Sequence, residues 1–268
     1  MSPAEQVVPF YFGTPDKVLF GCFHEPTPEK RRGCAVVVCQ PMGHEYVNSH
    51  RALRQLAGRL CDAGFPVLRF DYYGCGDSSG SAEEGGIPQW LEDTSTAISE
   101  VKRKTGLDQV CLVGLRLGGT LAMITALEQG NLESMILWDP VVSGKDYLEQ
   151  LLHLQKEALR FRHNPNSSWK STKAIEVLGF ALPPLLCAEL GRIRLLPIAK
   201  KPANNVLLVQ TNQAAVDGLK SHLEQTEART DFQCLEAPPI WLPTADGSLL
   251  VPGPALQSMV SWISRTPS

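Results

Sequence analysis

The sequence predicts an α/β fold: a mostly parallel, eight-stranded sheet with helices on both faces and a helical, lid-like insertion between strands 6 and 7. Three observations carry this. Short apolar runs rich in β-branched residues alternate with longer segments of helical periodicity. The middle runs are apolar throughout, as strands covered on both faces must be. One long stretch, 143–200, interrupts the alternation at a single place.

The predicted strands are Val7–Phe12, Val18–His24, Cys34–Cys39, Val67–Asp71, Val110–Gly114, Met135–Asp139, Val206–Thr211 and Gln233–Ala237. Predicted helices lie between them at Asn48–Ala63, Pro88–Thr105, Leu117–Gln129, Gln213–Gln225 and Pro254–Arg265. Pro88 and Pro254 fit the first helical turn, where a missing N–H costs nothing. Within 143–200 the pattern predicts helices over Lys145–Arg160 and Thr172–Gly179, a polar stretch at His163–Trp169 between them, and a third piece at Leu182–Leu195. A long insertion at one place in such a sheet is commonly a lid, with a packing decoration as the alternative. One domain over residues 1–268, with 143–200 as an insertion within it, accounts for the length.

Composition narrows the function classes. The 268 residues are 43% hydrophobic and carry a net charge of −3, with no basic footprint for nucleic acid. No apolar run is long enough to span a bilayer, and the stretch MSPAEQVVPF lacks the layout of a secretory signal. The eight cysteines include no C-x-x-C pair, so no metal site or cofactor is expected. Several fall in apolar runs, where a free thiol acts as a small hydrophobe, and a reducing cytoplasm is the expected location.

Three stretches carry chemistry. Gly114-Leu115-Arg116-Leu117-Gly118-Gly119 resembles the G-x-S-x-G nucleophile elbow of the α/β-hydrolase superfamily. Phe70-Asp71-Tyr72-Tyr73-Gly74-Cys75-Gly76-Asp77-Ser78 resembles that family's D-x-x-G-x-G-x-S loop after strand 4. Cys39-Gln40-Pro41-Met42-Gly43-His44 falls where the family places its oxyanion loop. The finer resemblance is to the serine-aminopeptidase-like branch. There, LWDPVVSGKDYL followed by EVLGFALPPLLCAEL is similar to hydrolase-like proteins found with bacterial exosortase and exopolysaccharide systems. The resemblance implies the fold above and a bacterial role in envelope or exopolysaccharide metabolism.

It does not carry over the chemistry. The family's mechanism needs an elbow serine, a histidine after the last strand and a carboxylate to orient it. Arg116 stands at the elbow, EAPPIWLPTADGSLLVPGPAL contains no histidine, and the last histidine, His222, precedes strand 8. Asp217, the only acid after strand 7, falls inside the next helix. Substitute nucleophiles, Cys39, Cys75 or Ser78, read better as packing and loop residues, and Asp71 and Asp77 as turn-holding residues.

A guanidinium at a helix N-terminus opposes the helix dipole and needs an anionic partner. The fifth strand is expected between the third and the sixth, whose ends carry His44-Glu45 and Asp139. Asp139 is the first choice of partner and Glu45 the second. Two readings of the pocket stand side by side. In one, a buried ion pair fills it. In the other, Arg116 and the backbone N–H groups of Leu117 and Met42 converge on a small anionic ligand. The resulting function is a pseudo-hydrolase that binds a small molecule, with a homodimer left open. The alternative is a hydrolase or acyltransferase on an ester, thioester or amide, using a non-standard site of His44, Glu45 and Arg116, with Asp139 as a further candidate.

Overall fold

Alternation along each strand explains the layering. In β3 (Cys34–Cys39), Ala35, Val37 and Cys39 face one side of the sheet while Cys34, Val36 and Val38 face the other. In the computed structural model, which describes residues 6–130, 132–161, 175–211, 217–236, 238–244 and 246–266, all six of these residues are buried. The other strands of the main sheet are β1 (Gln6–Thr14), β2 (Lys17–Glu25), β4 (Val67–Phe70), β5 (Gln109–Leu115), β6 (Ser134–Trp138), β9 (Asn205–Gln210) and β10 (Arg229–Cys234). Their order is β1-β2-β4-β3-β5-β6-β9-β10. β1 and β2 pair antiparallel, β2 joins β4 antiparallel, and every later pairing is parallel. β5 therefore lies between β3 and β6, as expected.

Helices α1 (Gly43–Asp62) and α7 (Gly253–Arg265) cover one face. On α1 the apolar residues Ala52, Leu53, Leu56, Ala57 and Leu60 recur at helical spacing and form one buried stripe. Truncating Leu56 to alanine would cost roughly 2–5 kcal/mol. Helices α2 (Ile87–Thr105), α3 (Leu117–Gln129) and α6 (Asp217–Gln225) pack on the opposite face. α2 stops at Gly106, whose φ of 70° gives the left-handed turn that ends a helix.

Three elements depart from the expectation. α1 begins five residues earlier than the apolar pattern implies, which puts His44 and Glu45 in its first turn. β10 occupies Arg229–Cys234 instead of Gln233–Ala237, because an edge strand exposed along most of its length need not be apolar. The segment expected as a helix over Thr172–Gly179 is instead a hairpin from residue 175 on, β7 (Ile175–Val177) and β8 (Phe180–Leu182), turning through Leu178 (φ 50°) and Gly179 (φ 91°). The insertion otherwise holds α4 (Gly144–Phe161) and α5 (Pro184–Arg192). His163–Trp169, and the parts of the expected elements at 172–174, 212–216 and Ala237, lie outside the described residues. Among the described residues no helix is long and apolar enough to cross a membrane, and no group of His, Cys, Asp and Glu could hold a metal ion.

Candidate functional site

Arg116 sits between the end of β5 and the start of α3 with φ 53° and ψ −125°. That conformation is sparsely populated for a residue with a Cβ and costs about 1–3 kcal/mol. The surroundings over-determine it. A Cβ at Gly114 would collide with the Gly119 backbone, and one at Gly118 with the carbonyls of Cys39 and Gln40. The Arg116 N–H donates to the Trp138 carbonyl (2.9 Å), and Gly119 N–H donates back to the Arg116 carbonyl (3.0 Å). The sharp strand-to-helix turn of a nucleophile elbow is intact, with a guanidinium in place of a hydroxyl.

The guanidinium is clamped. Nε donates to Glu45 Oε1 at 3.0 Å and Nη2 to Gln150 Oε1 at 3.0 Å. Its carbon lies 5.4 Å from the Tyr147 ring centre and 5.0 Å from that of Trp241, within cation–π range of both. Tyr147 Oη donates to the other Glu45 oxygen at 2.8 Å. The Arg116 side chain is 14% exposed and that of Glu45 only 2%. Burial pulls the Arg116 pKa down, but Glu45 with Tyr147 more than offsets this and leaves it above its ordinary value.

Four segments far apart in sequence meet here: α1 through Glu45, the elbow, α4 of the insertion through Tyr147 and Gln150, and the chain after β10 through Trp241. Trp241 lies in the segment where a triad histidine would be expected. Tyr147, Gln150 and Trp241 are not singled out by the sequence. The only signals for them are an aromatic in the insertion helix and a tryptophan in a histidine-free tail.

The first-choice partner for Arg116 is corrected. Asp139 does not pair with it: the carboxylate accepts the Thr211 N–H at 3.2 Å and the Thr211 hydroxyl at 2.6 Å. A φ of 43° at Asp139, whose N–H donates to the Val209 carbonyl, goes with this alignment along β9. Burial raises the Asp139 pKa, while the Thr211 bonds and Arg116 pull it back.

His44 is buried beside Glu45, its Nε2 without a hydrogen-bond partner, and burial lowers its pKa. The Glu45 carboxylate bonds to Arg116 and Tyr147. Met42 caps α1, and Leu117 opens α3, where its N–H has no partner inside the helix.

The remaining nucleophile candidates are structural. Burial pushes the Cys39 and Cys75 thiols up to about 12. The Ser78 hydroxyl donates to the Asp71 carbonyl (2.6 Å) and accepts from Phe20 N–H (2.9 Å). Asp71 accepts from Gln40 Nε2 (3.1 Å), Tyr46 Oη (3.0 Å) and Asp77 N–H (3.1 Å). Asp77 contributes its backbone to that turn. Asp217 opens α6 and His222 lies further along it.

A cavity of about 300 Å³ lies between the β3–α1 junction, the loop after β4 and the insertion. Met42, Phe70, Cys75, Trp90, Phe180 and Leu186 give it a mainly apolar wall, with Gln40 and Asp71 among its polar lining residues. Phe180 and Leu186 come from the insertion, so it forms one side of the cavity. Arg116 does not line it.

Comparisons with known proteins agree with this fold. A proline iminopeptidase from Lactobacillus delbrueckii subsp. lactis is 29% identical over 111 residues, 41% of this chain and 37% of its own length. The chain thus matches little more than a third of that relative. Ferulic-acid-bound Est1E from Butyrivibrio proteoclasticus superposes with a TM-score of 0.69 at 15% identity, covering 96% of this chain and 98% of that one. An esterase from Pyrococcus furiosus gives 0.66 at 13% identity, covering 99% and 93%. At such identities the likeness is one of fold. The model of the serine aminopeptidase S33 family matches residues 34–182, more than half of the chain. With an elbow, a loop after β4 and a sheet order that all fit, this chain belongs to the serine aminopeptidase S33 family of the α/β-hydrolase superfamily.

Proposed function

We propose that this protein is a non-hydrolytic member of its superfamily that binds a small molecule in the cavity lined by Met42, Phe180 and Leu186. One observation carries the reading. The position of the nucleophile is filled by a guanidinium held on four sides by Glu45, Gln150, Tyr147 and Trp241. Hydrolysis by the family's route needs a nucleophile and a base at that point. Here the charge joins the insertion to the sheet, and the 143–200 insertion, through its described residues, acts as a cap on a single domain. Glu45 already supplies one counter-charge, so an added anion gains less from Arg116 than from a free guanidinium. The weight of recognition falls on the apolar cavity, with Met42 in its wall and Gln40 among its polar lining residues; Leu117, expected as a second donor, does not line it. The eight cysteines are free thiols, which supports a cytoplasmic location.

The test pairs chemistry with binding. Thermal melts with a series of small aromatic and aliphatic alcohols and carboxylates should show a rise in Tm that depends on size. Cys75→Trp, which fills the cavity, should abolish that rise. Fluorophosphonate should label no serine, and short p-nitrophenyl esters should not turn over. Turnover that disappears in His44→Ala with the fold intact would replace this reading with the enzymatic one built on His44, Glu45 and Arg116.

A further inference from the structure

Arg69 is a charged residue whose burial the elbow does not explain. It lies on β4, is 6% exposed, and donates through Nε to His24 Nε2 at 3.1 Å. Among the described residues no carboxylate forms an ion pair with it. The nearby acid, Asp71, already accepts from Gln40, Tyr46 and the Asp77 N–H. A buried guanidinium with no carboxylate in ion-pair contact is costly, and its two terminal nitrogens keep their donors whatever Nε does.

Arg69 lines a cavity of about 340 Å³ between strands β1, β2 and β4 and helix α1. Arg54 and His50 line it too, one helical turn apart on the same face of α1. His50 Nδ1 is buried with no hydrogen-bond partner. Asp77, the remaining acid in the wall, is exposed at the rim, where solvent screens it. Arg116 takes no part in this cavity.

We propose that this second cavity binds a small organic oxyanion, a carboxylate or a phosphate ester. The forks of Arg69 and Arg54 hold its oxygens, and His50 Nδ1 is a third donor. Planar guanidinium groups match both anions with paired hydrogen bonds, and the volume accommodates a small molecule as well as a bare ion.

Melting of the full chain in sodium phosphate and in sodium acetate, each against sodium chloride at equal ionic strength, tests this. At least one oxyanion should raise Tm with concentration, and which one does so identifies the head group. Arg54→Gln, at an exposed position, should weaken the apparent affinity about tenfold or more. Arg69→Met should abolish the shift and leave the ligand-free protein about as stable, because it removes a buried charge that has no ion-pair partner. Equal melting in phosphate, acetate and chloride overturns the proposal. So does a full-sized shift in Arg54→Gln, which would place the anion at another site such as the elbow. If Arg69→Met fails to fold, Arg54→Gln still decides.

Discussion

Glu45 Oε1 lies 3.0 Å from Arg116 Nε, so the first turn of α1 supplies the counter-charge for the residue at the elbow. Each group alone would be out of place. A cation at the N-terminus of α3 opposes the helix dipole, and a carboxylate that is 2% exposed is poorly solvated. Together, and with the Tyr147 hydroxyl on the second Glu45 oxygen, they form a closed set.

Breaking the pair from one side should therefore be expensive. Glu45→Gln leaves Arg116 buried without a counter-charge and is expected to lower stability by roughly 3–5 kcal/mol. Arg116→Met combined with Glu45→Gln removes both charges and should recover much of that loss. Denaturant melts of the two single variants and the double one measure the coupling. Additive losses would show that the two residues do not stabilise one another.

Asp139→Asn should behave differently. Its carboxylate serves Thr211 and not Arg116, so the change costs about one hydrogen bond, ~1 kcal/mol. Sulfate should not rescue it, because no guanidinium is released. A loss as large as that of Glu45→Gln, reversed by sulfate, would mean that Asp139 holds Arg116 in solution.

The difference between Glu45 and Asp139 shows where sequence reasoning runs out. Strand order is legible, because the apolar runs and the elbow glycines force β5 between β3 and β6. From that order both acids are neighbours of Arg116, and the sequence leaves open which side chain leans in. The choice rests on two backbone details: α1 starting at Gly43, and Asp139 taking φ 43°. Tyr147 and Trp241 were invisible for a related reason, since their contacts span the insertion and the tail. The β7–β8 hairpin was hidden by its brevity. Its one signal is Leu178-Gly179, a residue–glycine pair suited to a tight two-residue turn.

Asp93 should give the protein a pH-dependent component of stability. Burial raises its pKa from 3.8 to about 6, against the pull of the Tyr73 N–H and Gln89. A carboxyl with a raised pKa holds its proton more tightly in the folded state. Its contribution is fully present below the unfolded value and is lost as pH rises through about 6. The shift corresponds to the order of 3 kcal/mol. Asp93→Asn should be destabilising near about pH 4 and closer to neutral, or stabilising, near about pH 8. A difference from wild type that stays constant over that range would show that folding does not shift the Asp93 pKa.

Tyr147→Phe isolates the contact between the insertion and the sheet. The phenol is buried and its hydroxyl donates to Glu45 at 2.8 Å. Removing it leaves a buried carboxylate oxygen unsatisfied and should cost about 1–3 kcal/mol. The ring remains, so the stacking on Arg116 persists. Amide exchange along α4 should quicken more than along β5, because the lost bond ties α4 down. Uniform acceleration in both would mean that the cap does not open separately from the sheet.

Restoring the serine should not restore an esterase. Arg116→Ser recreates the elbow sequence on a backbone that already has the required turn, so the nucleophile would be correctly placed. It would still lack a base. Trp241 lies in the segment where the histidine is expected, and Asp139 is turned to Thr211. A missing general base is typically worth roughly 10²–10⁴-fold. Arg116→Ser would also strip Glu45 of its counter-charge, so the fold must be checked before activity is scored. Among the described residues, His44 is the histidine next to Glu45; burial lowers its pKa and its Nε2 has no partner. If Arg116→Ser hydrolyses p-nitrophenyl esters well and Arg116→Ser with His44→Ala does not, His44 is a latent base and the site is one substitution from catalysis. If neither does, the guanidinium occupies a site that has lost its proton acceptor as well as its nucleophile.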